Sequence, residues 1–131
     1  MVFSTRISIQ WPPALAQELT KTYVMTSPKD QHFVDLRPYL SNTLPVAKTS
    51  FPFEWAMIGT EEELENDKIM FHHEVDSQAI LGDQCSEQPA SDLGHFEQLS
   101  NGDRKETGEM MNPDTVRSSP ILKFGEVLTP I

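Results

Sequence analysis

Cysteine is almost missing from this chain: Cys85 stands alone among 131 residues, so no intrachain disulfide can brace the fold. Positive charge is scarce as well. Ten Lys and Arg oppose twenty Asp and Glu, a formal net charge of −10 at pH 7, and such an excess repels phosphate backbones and anionic bilayers. Nucleic acid and membrane surfaces are therefore not expected partners. No run approaches the ~20 apolar residues of a membrane span. The first residues pass straight into alternating polar and apolar positions, without the apolar stretch of a signal peptide. No Asn-x-Ser/Thr glycosylation acceptor occurs. A reducing, cytoplasmic setting fits these absences. Hydrophobic residues make up 37% of the chain, below the usual ~45–50%, and ten prolines favour loops, so the core must be small. No Gly-x-Ser-x-Gly, phosphate-cradling glycine loop or dinucleotide fingerprint appears, which leaves the common enzyme classes without support.

What is present is alternation with the two-residue period of a half-buried strand. Ile7, Ile9 and Trp11 oppose Arg6, Ser8 and Gln10, and Pro12-Pro13 ends that strand. Residues 22–26 are rich in strand formers, and Ser27-Pro28-Lys29-Asp30 has the chemistry of a turn into a strand over 31–40. In that strand Val34, Leu36 and Leu40 share one face, while Phe33, Asp35, Arg37 and Tyr39 share the other. The strongest core signal is Phe51-Pro52-Phe53-Glu54-Trp55-Ala56-Met57-Ile58, which sets Phe51, Phe53, Trp55 and Met57 on one apolar face with Glu54 opposite. Residues 59–67 read as an acidic hairpin tip before a strand over 69–75. Asn101-Gly102 predicts a two-residue type I′ turn between strands at 94–99 and 104–110. Residues 116–131 show no clear period and read as a tail.

Few side chains suggest chemistry. His72, His73 and Glu74 have ligand chemistry, but a strand sends His73 away from the other two, which favours mixed exposure over a metal site. The run Glu61-Glu62-Glu63, with Glu65 and Asp67, lacks the alternating ligands and central glycine of a calcium loop and reads as a solvated tip. Thr60 and Glu63 also have the form of a helix capping box. A reactive Cys85 needs a nearby base or cation, whereas Asp83 and Glu87 oppose ionisation of its thiol. Charged residues within strands carry more information. In a barrel, Asp35, Arg37 and Glu54 must be paired or hydrogen-bonded if they face inward. Either Arg37 pairs with Asp35 or Glu54, or Arg37, Tyr39 and Glu54 anchor a ligand in an aromatic pocket.

Asp35-Leu36-Arg37-Pro38-Tyr39, the segment from Phe51 through Trp55 to Gly59-Thr60, and Glu106-Thr107-Gly108 flanked by Asn101-Gly102-Asp103 and Asn112-Pro113 together resemble the fungal HRI-type lipocalin-like family. The likeness covers most of residues 6–115. Family members have two related β-rich lobes and about twice this length. Some are cytosolic proteins without known catalysis, and others are hetero-Diels–Alderases of fungal tropolone-sesquiterpenoid pathways. The resemblance implies a mostly β, antiparallel, lipocalin-like partial barrel, with a first lobe over residues 1–115 and an irregular tail over 116–131. It implies a hydrophobic small-molecule ligand held by Arg37, Tyr39, Phe53, Glu54 and Trp55, with no metal and no cofactor, and it admits a cofactor-independent pericyclase. The competing expectations are a non-enzymatic interaction protein, with a protein partner or as a homodimer, and an inactive truncated paralogue.

Overall fold

A computed structural model describes residues 2–46, 50–81, 91–110 and 122–131. Its strands are β1 (Val2–Gln10), β2 (Tyr23–Thr26), β3 (His32–Pro38), β4 (Phe53–Leu64), β5 (Lys68–Asp76), β6 (Ser91–Gln98), β7 (Arg104–Met110) and β8 (Leu122–Pro130), with one short helix, α1 (Ser77–Leu81), after β5. Each strand pairs antiparallel with the next, and β8 returns to pair with β1, which closes an eight-stranded barrel. The mostly β, antiparallel, lipocalin-like expectation is met. Two of its details are corrected. The barrel is closed and not partial, and the stretch read as an irregular tail contains β8, which joins β7 to β1. Inward-facing Glu126 beside the outward Val127 inverts the usual alternation there, so the strand carried no apolar signal.

Two turns also differ from expectation. Glu61, Glu62 and Glu63 belong to β4 instead of a loop or a capped helical turn, and the tip is confined to residues 65–67. Asn66 and Asp67 take φ of 62° and 58° there, values that Asn and Asp tolerate better than most residues. The β6–β7 hairpin is present, but Gly102 alone has a positive φ, 92°. Its loop closes through a hydrogen bond from the Leu99 N–H to the Asp103 carbonyl, and three residues lie between. That is a turn ending in a left-handed glycine, not the two-residue type I′ turn.

The buried apolar residues Ile9, Phe33, Trp55, Met57 and Phe124 form the core inside the barrel, with Trp11 and Phe71 packed against them. The walls approach closely at Gly59, where a Cβ would run into the His72 carbonyl across the β4–β5 pair. Gly59→Ala is accordingly expected to force the backbone apart at a cost of about 1–3 kcal/mol, read as a lower urea midpoint. An unchanged midpoint would show that the wall yields freely.

Candidate functional site

Three β-bulges decide which side chains enter the barrel. Ile7 is the extra residue in β1, because Arg6 pairs with Leu128 and Ser8 with Val127. Glu54 is the extra residue in β4, between Phe53 opposite Pro38 and Trp55 opposite Arg37. Glu74 plays this part in β5, between His73 opposite Gly59 and Val75 opposite Ile58. A bulge resets the alternation and re-aims side chains. Arg6 is therefore buried while Ile7 is 49% exposed, and Glu54 and Trp55, adjacent in sequence, are both buried. The single apolar face expected for Phe51, Phe53, Trp55 and Met57 is corrected: Trp55 and Met57 are core, whereas Phe53 is half-buried and packs against Phe51 with the rings tilted. The opening β1 face is corrected in the same way, with Ile9 inside, Ile7 outside and Arg6 taking an inward place.

The inward charges form a connected set. The Arg6 guanidinium donates to both Glu18 oxygens, at 2.7 and 2.9 Å, to Glu126 at 3.1 Å and to the Thr20 hydroxyl at 3.0 Å. Burial works against its charge, but Glu126 and Glu18 outweigh that and raise its pKa. Arg37 grips Asp35 side-on, Nη2 to Oδ2 at 2.8 Å and Nε to both oxygens at 3.2 Å. Its Nη1 lies 3.7 Å from Glu126 and 3.9 Å from Glu54. Of the two sequence readings of this cluster, the Arg37–Asp35 ion pair is present. The guanidinium also lies over the Trp55 ring at 5.2 Å, a favourable placement for a cation against a π face.

On the far side of Trp55 lies a second group. The indole N–H donates to Asp76 Oδ1 at 2.6 Å, and His73 Nδ1 meets Asp76 Oδ2 at 2.8 Å. His73 Nε2 is 2.9 Å from Asp92, close enough for an ion pair though not aligned for a hydrogen bond. Burial alone pulls this imidazole down, but the hydrogen bond with Asp76 and the close carboxylate charges of Asp92 and Asp76 lift its pKa to about 9. Asp76 moves the other way: burial raises it, and bonds from His73, Trp55 and the Gln78 N–H more than offset that. Asp76 also caps α1, whose first turn serves the β4 bulge. The Ser77 hydroxyl accepts from the Ala56 N–H at 2.9 Å, and the Gln78 amide donates to the Glu54 carbonyl at 2.7 Å.

A cavity of about 40 Å³ remains between these groups and the apolar core, room for two or three waters. Phe33, Phe71, Phe124 and Leu128 line it together with the charged Asp35, Arg37, His73, Asp92, Glu106 and Glu126. Glu106 is held well above the usual carboxyl range, first by burial and then by the neighbouring Glu126 charge, with Arg37 only partly opposing. Gly94 faces it across the β6–β7 pair, where any Cβ would displace its carboxyl. Arg37 Nη1 is buried here with no hydrogen-bond partner among the described residues.

Of the five ligand residues expected from sequence, Arg37 lines the cavity. Glu54 and Trp55 pack around its guanidinium, while Tyr39 and Phe53 lie at one end of the barrel, half-buried beside the backbone of Thr20 and Pro38. Sequence reasoning missed Arg6, Glu106, Glu126 and the pairing of His73 with Asp76 and Asp92. The signal for Glu106 was its place in the Glu106-Thr107-Gly108 motif; Glu126 lay in the presumed tail. His72 is half-buried and pairs with Glu62 at 2.8 Å, and Cys85 lies outside the described residues. Among the described residues no group of three His, Cys, Asp or Glu side chains is placed to hold a metal ion, and no helix is long and apolar enough to cross a membrane.

No curated protein matches the chain. Its fold is similar to that of a solved structure, the uncharacterized protein YLR301w from Saccharomyces cerevisiae, at a TM-score of 0.76 and 24% identity. The match covers 99% of this chain and 53% of the yeast one, so the chain spans about half the length of that protein. Residues 2–129, from the start of β1 almost to the end of β8, fit the family described as Protein HRI1. With the match running through every strand that closes the barrel, the chain belongs to the HRI1 family.

Proposed function

We propose that this barrel binds a small, largely apolar molecule through an oxygen atom that accepts hydrogen bonds from Arg37 and Glu106. The observation that carries the reading is Arg37 Nη1, buried on the cavity wall with no hydrogen-bond partner among the described residues, in a cavity also lined by Glu106, whose carboxyl pKa is raised by burial. A guanidinium N–H and a neutral carboxyl are both donors, and a carboxyl held neutral by an apolar site is suited to donating to a carbonyl. Phe33, Phe71, Phe124 and Leu128 suit an apolar body. The space of about 40 Å³ admits the oxygen and a few atoms around it; the rest needs flexible lining side chains such as Met57 to turn aside.

Trp55, whose ring faces the Arg37 guanidinium, reports binding. Naphthoquinones and aryl ketones are expected to quench its fluorescence saturably, and hydrocarbons of the same shape to bind about tenfold more weakly or worse, because they leave the donors unpaired. Glu106→Gln retains a donor and keeps binding, whereas Glu106→Leu loses about tenfold. Equal affinity for ketone and hydrocarbon, or no saturable quenching, ends the proposal. The same hydrogen bonds draw electron density from a conjugated carbonyl, which is what a cofactor-free cycloaddition of the hetero-Diels–Alder type requires. The sequence resemblance supports that extension, and rate measurements on a heterodiene–alkene pair with wild type and Glu106→Leu test it.

A further inference from the structure

The outer wall of the barrel is divided into two unlike halves. Across β1 to β4 and the end of β5, register places Phe3 beside Met25, Met25 beside Val34, Val34 beside Ile58 and Ile58 beside Val75, one apolar row crossing five strands. A second row runs from Thr5 through Tyr23 and Leu36 to Ala56. Phe3 is 37% exposed, Met25 38%, Leu36 39%, Ile58 43% and Val75 46%. Neither row contains a charged side chain. On the opposite wall, the cross-strand pair of Glu97 with Lys105 and the neighbouring Glu109 stand outward from β6 and β7. The largest contiguous apolar patch on a protein surface is often functional, and a patch of this kind rimmed by polar residues is suited to a contact.

We infer that this wall is the face through which two copies of the chain pack together. Closure of the barrel leaves no strand edge among the described residues for a partner to extend, so association through them uses a face. A two-fold contact sets each residue against the same surface of its mate, and any charge there meets its own kind. At a net charge of −10 most of this surface repels a second copy, and the uncharged rows do not.

Sedimentation velocity of the full chain across a hundredfold concentration range tests the inference. A concentration-dependent dimer is expected, and it should hold or tighten in 0.5 M salt, because salt screens repulsion and leaves apolar contact intact. Ile58→Lys and Ile58→Glu, substitutions of opposite charge at an outward position, should both weaken the dimer at least tenfold while circular dichroism shows the barrel folded. Leu93→Lys, on the opposite wall, should leave it unchanged. A monomer at every concentration overturns the inference, as does a dimer that withstands both Ile58 variants or one abolished by Leu93→Lys. Binding of the monomer to neutral lipid vesicles, lost in the Ile58 variants, overturns it in favour of a membrane contact.

Discussion

Replacing Arg37 with methionine is expected to lower folding stability by about 3–5 kcal/mol, the cost of removing one partner from a buried ion pair. The size follows from what the guanidinium leaves behind. Asp35 loses a side-on pair at 2.8 Å, and Glu54 and Glu126 lose a cation within 4 Å. The residue is 4% exposed, so water cannot take its place. Arg6 still serves Glu126 at 3.1 Å and lies 3.7 Å from Glu54, but it does not reach Asp35. A loss of this size is a large part of the 5–15 kcal/mol that holds a typical domain together. Arg37→Lys should cost less, since it retains the charge but not the side-on geometry toward Asp35. Urea unfolding of the three proteins measures this. The deficit of the methionine variant should shrink in mild acid, as stranded carboxylates take up protons. A methionine variant within about 1 kcal/mol of wild type, the range of an exposed ion pair, would mean that the network contributes little.

Stability should also fall by about 3 kcal/mol between pH 6.5 and 9, because His73 titrates at about 9 in the folded chain against 6.5 when free. The native state holds a proton that the unfolded chain has already released. Its contribution is therefore complete below pH 6.5 and lost as pH rises through about 9. Glu106 acts in the same direction from lower pH, since its folded pKa is also raised. Asp76 and Glu18 have lowered values, so their contributions are present above the ordinary carboxyl range and lost as pH falls through their folded values. These opposing slopes put the expected maximum on the mildly acidic side of neutrality. Urea midpoints measured from pH 5 to 9.5 should show the alkaline decline, and His73→Gln should remove most of its slope above pH 6.5. A flat profile across that interval in the wild-type chain contradicts protonated His73 between Asp76 and Asp92.

Both expectations concern groups that a strict two-residue period sorts poorly. The period identified the strands and turns where the ladder is regular: β3 alternates Phe33, Asp35 and Arg37 inward without interruption, and the Arg37–Asp35 pair was legible from their shared face. It misplaced Arg6, Ile7 and Phe53 because Ile7 and Glu54 are bulged residues. A bulge has no compositional mark in a lone sequence; it exists only when a second strand is laid beside the first. The same limit hid β8. Its inward Glu126 looks like a solvent residue until Arg6, 120 positions away in the chain, is brought within hydrogen-bonding distance.

The sequence by itself determined that the chain is β-rich, acidic and free of disulfides within itself, because alternation, charge and cysteine count are local or additive properties. It also marked Trp55 and Met57 as core and Arg37 as a polar residue with inward work to do. Closure of the barrel, the phase of its walls and the ring of carboxyls around Arg6, Arg37 and His73 were decided only by tertiary structure. Each depends on strands distant in sequence meeting in one register. The Glu106 pKa is raised for the same reason, since it is set by burial and by Glu126, which arrives from β8 across the β7–β8 pair.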